Sequence, residues 1–294
     1  MTAAIAVSLA LAIAPAPQLH TRATQFEYRA HNGTMRPAWL LLPRSYRGGP
    51  IPLVISPHDR GESAAERATL WGDLPGEGNF AVICPAGEGR RTRFYSWGAP
   101  GQISDLARMP QIVRAHGVDV SRVYAFGGSM GGQEVLLLIA RHPHLLAGAA
   151  AFDPATDMAD RYRAFAKLPG GRELQALARR EVGGTPTTDP QGYAERSPDH
   201  YVHQIAFSGV PLQLFWSRRD RVIVDQVAQT GRLGMEVRRL NPGAKLWDFE
   251  GDWNHTAEMA PTRRLPRALA RFGLLPWSDV PSLEPAMPAP SPFV

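Results

Sequence analysis

The chain has 294 residues, of which 44% are hydrophobic and 20% charged, with a formal net charge of +5. These proportions exclude a disordered or fibrous chain, and the length allows one large α/β domain or two small ones. The positive charge is nearly all arginine, scattered and without alternating aromatics, so no nucleic-acid face is expected. A lone cysteine, Cys84, excludes an intrachain disulfide and reads as a small buried hydrophobe.

Residues 1–14 form an apolar run too short to span a bilayer comfortably. Ala12-Ile13-Ala14 has the small-x-small form of a signal cleavage site, although no Lys or Arg precedes the run. Residues 1–24 are therefore expected to be a signal peptide and linker. The protein would then be secreted or periplasmic, or cytoplasmic if the run is no signal. No other stretch suggests membrane insertion.

The folded domain is expected over residues 25–275. Gln25 to His31 alternate, Asn32-Gly33 signals a hairpin turn, and Met35 to Leu42 continue as an extended run. Ile51 to Ser56 and Phe80 to Cys84 read as buried strands, with a helix over Glu62 to Trp71 between them. Ser104 can cap a helix whose apolar residues recur at helical spacing, disturbed by Pro110. Leu145 to Phe152 predict a strand. Residues 154–205 break the rhythm with one helix, Arg172 to Arg180, and read as a lid-like insertion. Strands follow at Val210 to Ser217 and Lys245 to Glu250, with helices at Val224 to Leu240 and Thr256 to Phe272. Residues 276–294 are a Pro-rich tail. Buried strands alternating with helices imply a mostly parallel sheet covered on both faces, with ligands bound outside the carboxyl ends of the strands.

Gly127-Gly128-Ser129-Met130-Gly131 fits G-x-S-x-G between a strand and a helix. Such a turn lifts the serine out of the backbone and needs small residues two places either side. A serine nucleophile needs a base, and the base needs an acid, in the chain order Ser, Asp or Glu, His. His255 is the histidine that follows the late strands, and Asp220 is the preferred acid. Asp225 reads instead as a helix cap, and Asp252 lies too close to His255. An oxyanion would be held by the backbone N–H of Met130 and by that of Arg60, with Asp59 as the other choice. His58 is expected to orient that loop at the substrate. Trp97 and Trp253 are expected to line a substrate pocket, and Trp216 stands near the same rim. No metal or cofactor site is expected, because no histidine pairs with carboxylates at ligand spacing.

These motifs resemble the alpha/beta-hydrolase superfamily over roughly residues 25–275. Pro85, Trp97, Asp105, Val120 to Tyr124 and the serine turn are similar to polyhydroxybutyrate depolymerases and feruloyl esterase-like enzymes. Tyr193 to Pro198 and Val210 to Val222 resemble the catalytic domain of the prolyl oligopeptidase family. The resemblance implies an eight-stranded, mostly parallel sheet and Ser129, Asp220 and His255 as a triad. Many relatives have His-Gly-x in the oxyanion loop, where this chain has Asp59. The segment before Ser129 has no room for the N-terminal propeller of oligopeptidases. The expected activity is hydrolysis of a small-molecule or polymeric carboxylic ester. The alternatives are a peptidase acting on short peptides and a non-catalytic, hydrolase-like binding protein.

Overall fold

The computed structural model describes residues 19–88 and 96–280. The expected signal run, residues 89–95 of the long loop after Pro85, and tail residues 281–294 lie outside the described residues.

Eight strands form one sheet in the order β1-β2-β4-β3-β5-β6-β7-β8. They are β1 (Thr21–Arg29), β2 (Met35–Pro43), β3 (Ile51–Ile55), β4 (Ala81–Pro85), β5 (Val120–Gly128), β6 (Gly148–Phe152), β7 (Leu212–Ser217) and β8 (Leu246–Gly251). The β1–β2 hairpin and the β2–β4 pair are antiparallel, and every pair from β4 through β8 is parallel. The mostly parallel sheet read from the strand pattern is the sheet observed. Its first strand starts at Thr21, inside the stretch expected as linker, because β2 offers paired residues as far as Pro43.

Ten helices are described: α1 (Ala64–Trp71), α2 (Leu74–Gly78), α3 (Pro100–Ala115), α4 (Ser129–Arg141), α5 (Met158–Phe165), α6 (Gly171–Val182), α7 (Pro190–Ala194), α8 (Val202–Ala206), α9 (Arg232–Leu240) and α10 (Leu265–Arg271). Successive strand residues point to opposite faces, and here both faces are dry. Leu53, Ile55, Ile83 and Ala125 meet Ile103, Leu106 and Leu137 on one side. Val54, Val82, Cys84 and Phe126 meet Trp71, Leu265 and Leu269 on the other.

Four helical expectations change. Residues 154–205 hold α5, α6, α7 and most of α8 rather than one helix, and Asp157 caps the first by accepting from Asp160 N at 2.9 Å. The expected helix over Val224 to Leu240 begins with a π-type turn at Val227–Gly231, because Asp225 takes the left-handed conformation at φ 64°. The expected helix over Thr256 to Phe272 is helical at its C-terminal end, as α10, and holds one short turn at Ala257–Met259. Thr256 is also left-handed, at φ 57°. A threonine there is strained, and the segment holds that shape because it carries a loop over the sheet edge. Pro110, expected to disturb its helix, lies buried inside a continuous α3.

Candidate active site

The strand-to-helix turn after β5 puts Ser129 at φ 49°, a conformation that non-glycine residues seldom adopt. The flanking glycines are required by close approach. A Cβ on Gly127 would lie 2.4 Å from the backbone of Gly131, and one on Gly131 would lie 2.5 Å from Pro57 O. The spacing read from the sequence is thus a steric requirement of the turn. Helix α4 begins at the serine itself, so its dipole favours negative charge there.

Asp220 and His255 come from the loops after β7 and β8, 35 residues apart, and meet at 2.7 Å between Oδ2 and Nδ1. The other oxygen of Asp220 accepts from the N–H groups of Val222 and Ile223, and Gln226 Nε2 donates to Oδ2 at 3.1 Å. Burial raises the Asp220 pKa, but the bond and charge of His255 and these donors outweigh it, leaving a net lowering. Asp220 is therefore a carboxylate across the neutral range. The rival Asp225 is exposed and caps a turn by accepting from Ala228 N. Asp252 is exposed as well.

The histidine loop closes on the serine turn. Thr256, next to His255, packs against Gly128, next to Ser129, near enough that a Cβ on Gly128 would lie 3.0 Å from its methyl group. His255 Nε2 is buried and has no hydrogen-bond partner. It is not bonded to Ser129 Oγ in this structure. Such bonds are commonly long without substrate and tighten when it binds.

The oxyanion loop folds back on the same turn. Of its two candidate donors, Asp59 has its N–H committed to Glu62 Oε2 at 3.1 Å. Asp59 is not among the residues with positive φ, so this position needs no glycine. Its carboxylate instead faces Arg67 at 2.7 Å, and Arg67 also reaches Glu62 at 2.5 Å. Arg67 is 1% exposed and rides on α1, which a capping box of Ser63 and Glu66 starts. Such a box contributes about 1 kcal/mol to a helix. Burial pushes Asp59 up, against the pull of Arg67.

His58 does not reach the substrate space. It is buried, its Nδ1 contacts Asp59 O at 2.7 Å, and its Nε2 accepts from Gly87 N at 3.1 Å. Burial lowers its pKa and keeps it neutral, so it braces the loop. Trp97 does line a cleft with Ser129, Met130 and Arg60. Trp253 lies instead in the core beneath the histidine loop, and Trp216 is spent on Asp248 Oδ1 at 2.7 Å. The cleft is narrow, with about 30 Å³ open to the centre of a water molecule.

Two residues that carry the site escaped sequence reasoning. Asp153 directly follows β6, is fully buried, and sits at φ 46°. Its Oδ2 accepts from Trp253 Nε1 at 3.0 Å and from Thr256 N at 2.8 Å, so it anchors both sides of His255. An acid placed immediately after a buried strand was the available signal. Arg161 of α5 lines the serine cleft, and its hint was an N-cap at Asp157. Asp153, Asp220 and His255 bring possible metal-ligand atoms within 4.8 Å of one another. A cation there would have to break the Asp220–His255 bond, so the donor set fits a proton relay better.

Asp153 also makes stability depend on pH. Burial first, then Asp220, pushes its pKa up to about 7 from an ordinary 3.8. The folded chain therefore holds a proton that the unfolded chain releases between those values. Its contribution is full below pH 4 and is lost as pH rises through about 7. Asp153→Asn removes this titration. Relative to wild type, the variant should gain on the order of 1–3 kcal/mol between pH 5 and 8 in urea unfolding. Parallel curves would refute it.

Residues 100–233 match the prolyl oligopeptidase family. No curated protein matches the chain. Among solved structures, it resembles the acylaminoacyl peptidase of Pyrococcus horikoshii (TM-score 0.63, 13% identity, 86% of this chain and 41% of that one). Prolyl oligopeptidase B from Galerina marginata gives TM-score 0.64 and 15% identity over 87% of this chain and 37% of its own. An S-formylglutathione hydrolase from Agrobacterium tumefaciens gives TM-score 0.65 and 14% identity, covering 89% and 98%. The chain spans about two-fifths of the peptidases' length and nearly all of the esterase's.

Proposed function

We propose, from the premise that this chain is a serine hydrolase of the alpha/beta-hydrolase superfamily, that it cleaves a carboxylic ester. Ser129 is the nucleophile, His255 the general base and then acid, and Asp220 the group that fixes the imidazole tautomer. Ser129 Oγ bonds to the acyl carbon while its proton passes to His255 Nε2. The bond to the alcohol oxygen then breaks, and His255 returns the proton to the departing alcohol. Water attacks the acyl-enzyme, gives a proton to His255 and then to Ser129 Oγ, and releases the acid. The oxyanion of each step is received by the N–H groups of Met130 and Arg60.

The observation that carries this reading over a peptidase is the size of the cleft. Its open space of about 30 Å³, walled by Trp97, Met130 and Phe165, suits a short acyl group better than a peptide chain. The family match over residues 100–233 favours the second reading, a peptidase for short peptides. A short acyl 4-nitrophenyl ester and the matching 4-nitroanilide separate the two. The ester should be turned over and the anilide left intact, because an esterase does not supply the stabilisation that amide cleavage needs. Turnover of the anilide would favour the peptidase, and no turnover of either would favour a binding protein. Residues 154–205 would act as a partial lid, and export through the N-terminal run remains part of the proposal.

A further inference from the structure

We infer that the ester taken at Ser129 carries a carboxylate, and that Arg161 is the residue that receives it. This deepens the esterase reading and rests on it. Arg161 stands on α5 in the insertion between β6 and β7 and lines the cleft beside Ser129. It is 8% exposed, and its Nη1 is buried without a hydrogen-bond partner. Its near neighbour is apolar, with the guanidinium carbon 4.6 Å from the Phe165 ring centroid.

A buried guanidinium is costly to the fold unless its donors are used. The other buried arginines among the described residues stand beside carboxylates. Arg67 meets Asp59 and Glu62, and Arg36 meets Glu88. Arg161 differs from them in facing the space where substrate must sit. Arg60 shares that cleft, and no acidic side chain lines it. Burial, and then the charge of Arg60, pull the Arg161 pKa down to about 10, so it stays cationic at neutral pH. The Arg161 donor left without a partner at the cleft is one that a ligand can use. A guanidinium is a flat fork of donors that matches a carboxylate with two parallel bonds.

The test uses the full-length protein and two matched pairs of esters. 4-Nitrophenyl hydrogen adipate against methyl 4-nitrophenyl adipate puts the charge on the acyl side. 4-Acetoxybenzoate against its methyl ester puts it on the leaving group. Wild type should prefer the anionic member of one pair in kcat/KM by on the order of 10- to 100-fold. Arg161→Met should bring that ratio to near one, and Arg161→Lys should keep part of it. Free adipate should slow fluorophosphonate labelling of wild type and spare Arg161→Met. Unfolding temperatures check that the variants fold, and Arg161→Met should melt no lower than wild type. Equal rates within both pairs, or a preference unchanged in Arg161→Met, would overturn the inference while leaving the esterase intact. Absence of all turnover and labelling would remove both.

Discussion

Alanine at position 129 is expected to abolish ester turnover and fluorophosphonate labelling together. The hydroxyl is the atom that forms the acyl bond, and no other side chain at the turn can take its place. Met130 beside it is a buried thioether, and Gly131 has no side chain. Loss of a serine nucleophile from such a unit costs roughly six orders of magnitude in kcat, with the remainder coming from the oxyanion donors and binding. The fold should survive. Alanine tolerates φ 49° no worse than serine does, and the glycines at 127 and 131 still make room for the turn. Wild-type labelling in a folded Ser129→Ala protein would mean that another residue attacks, and the assignment would be withdrawn.

The second large effect is expected at Asp220. Its Oδ2 accepts from His255 Nδ1 at 2.7 Å, which leaves Nε2 as the lone-pair side of the ring. Asparagine can present its amide donor at the same place. The ring must then accept at Nδ1 and carry its proton on Nε2, where it can no longer take one from serine. This tautomer error lowers kcat by roughly four orders of magnitude in other triads. KM should move little, because Asp220 is absent from the cleft wall. Asp153 does not substitute for it, since its Oδ2 is committed to Trp253 and Thr256. The measurement is kcat for the 4-nitrophenyl ester, with the labelling rate as a second readout. A kcat within about tenfold of wild type would exclude Asp220 from the orienting role.

Much of this geometry is legible along the chain because it depends on near neighbours. Gly127 answers a clash with Gly131, four residues on. The strands at Leu53 and Val82 are apolar at every residue because both faces of a parallel pair are buried. The order of serine, acid and histidine follows from which strands end at the same rim.

Other parts became visible only once distant segments met. Trp253 resembled a pocket aromatic, yet its indole is drawn into the core by a carboxylate 100 residues away. The helix expected from Thr256 is delayed because Asp153, 103 residues away, binds Thr256 N and helps hold a left-handed turn. His58 reads as a rim residue until both its nitrogens are seen engaged with backbone. Arg161 is one arginine among many in the sequence.

The sequence by itself determined the layered α/β architecture, the serine turn and the residues able to act as base and acid. Strand burial and a tight turn are local constraints, written in residue size and spacing. Tertiary structure alone decided which loop N–H is committed to Glu62, where the Trp253 indole lies, and which arginine faces the cleft. Those outcomes are fixed by burial and by competition for hydrogen-bond partners, and both depend on groups brought together from opposite ends of the chain.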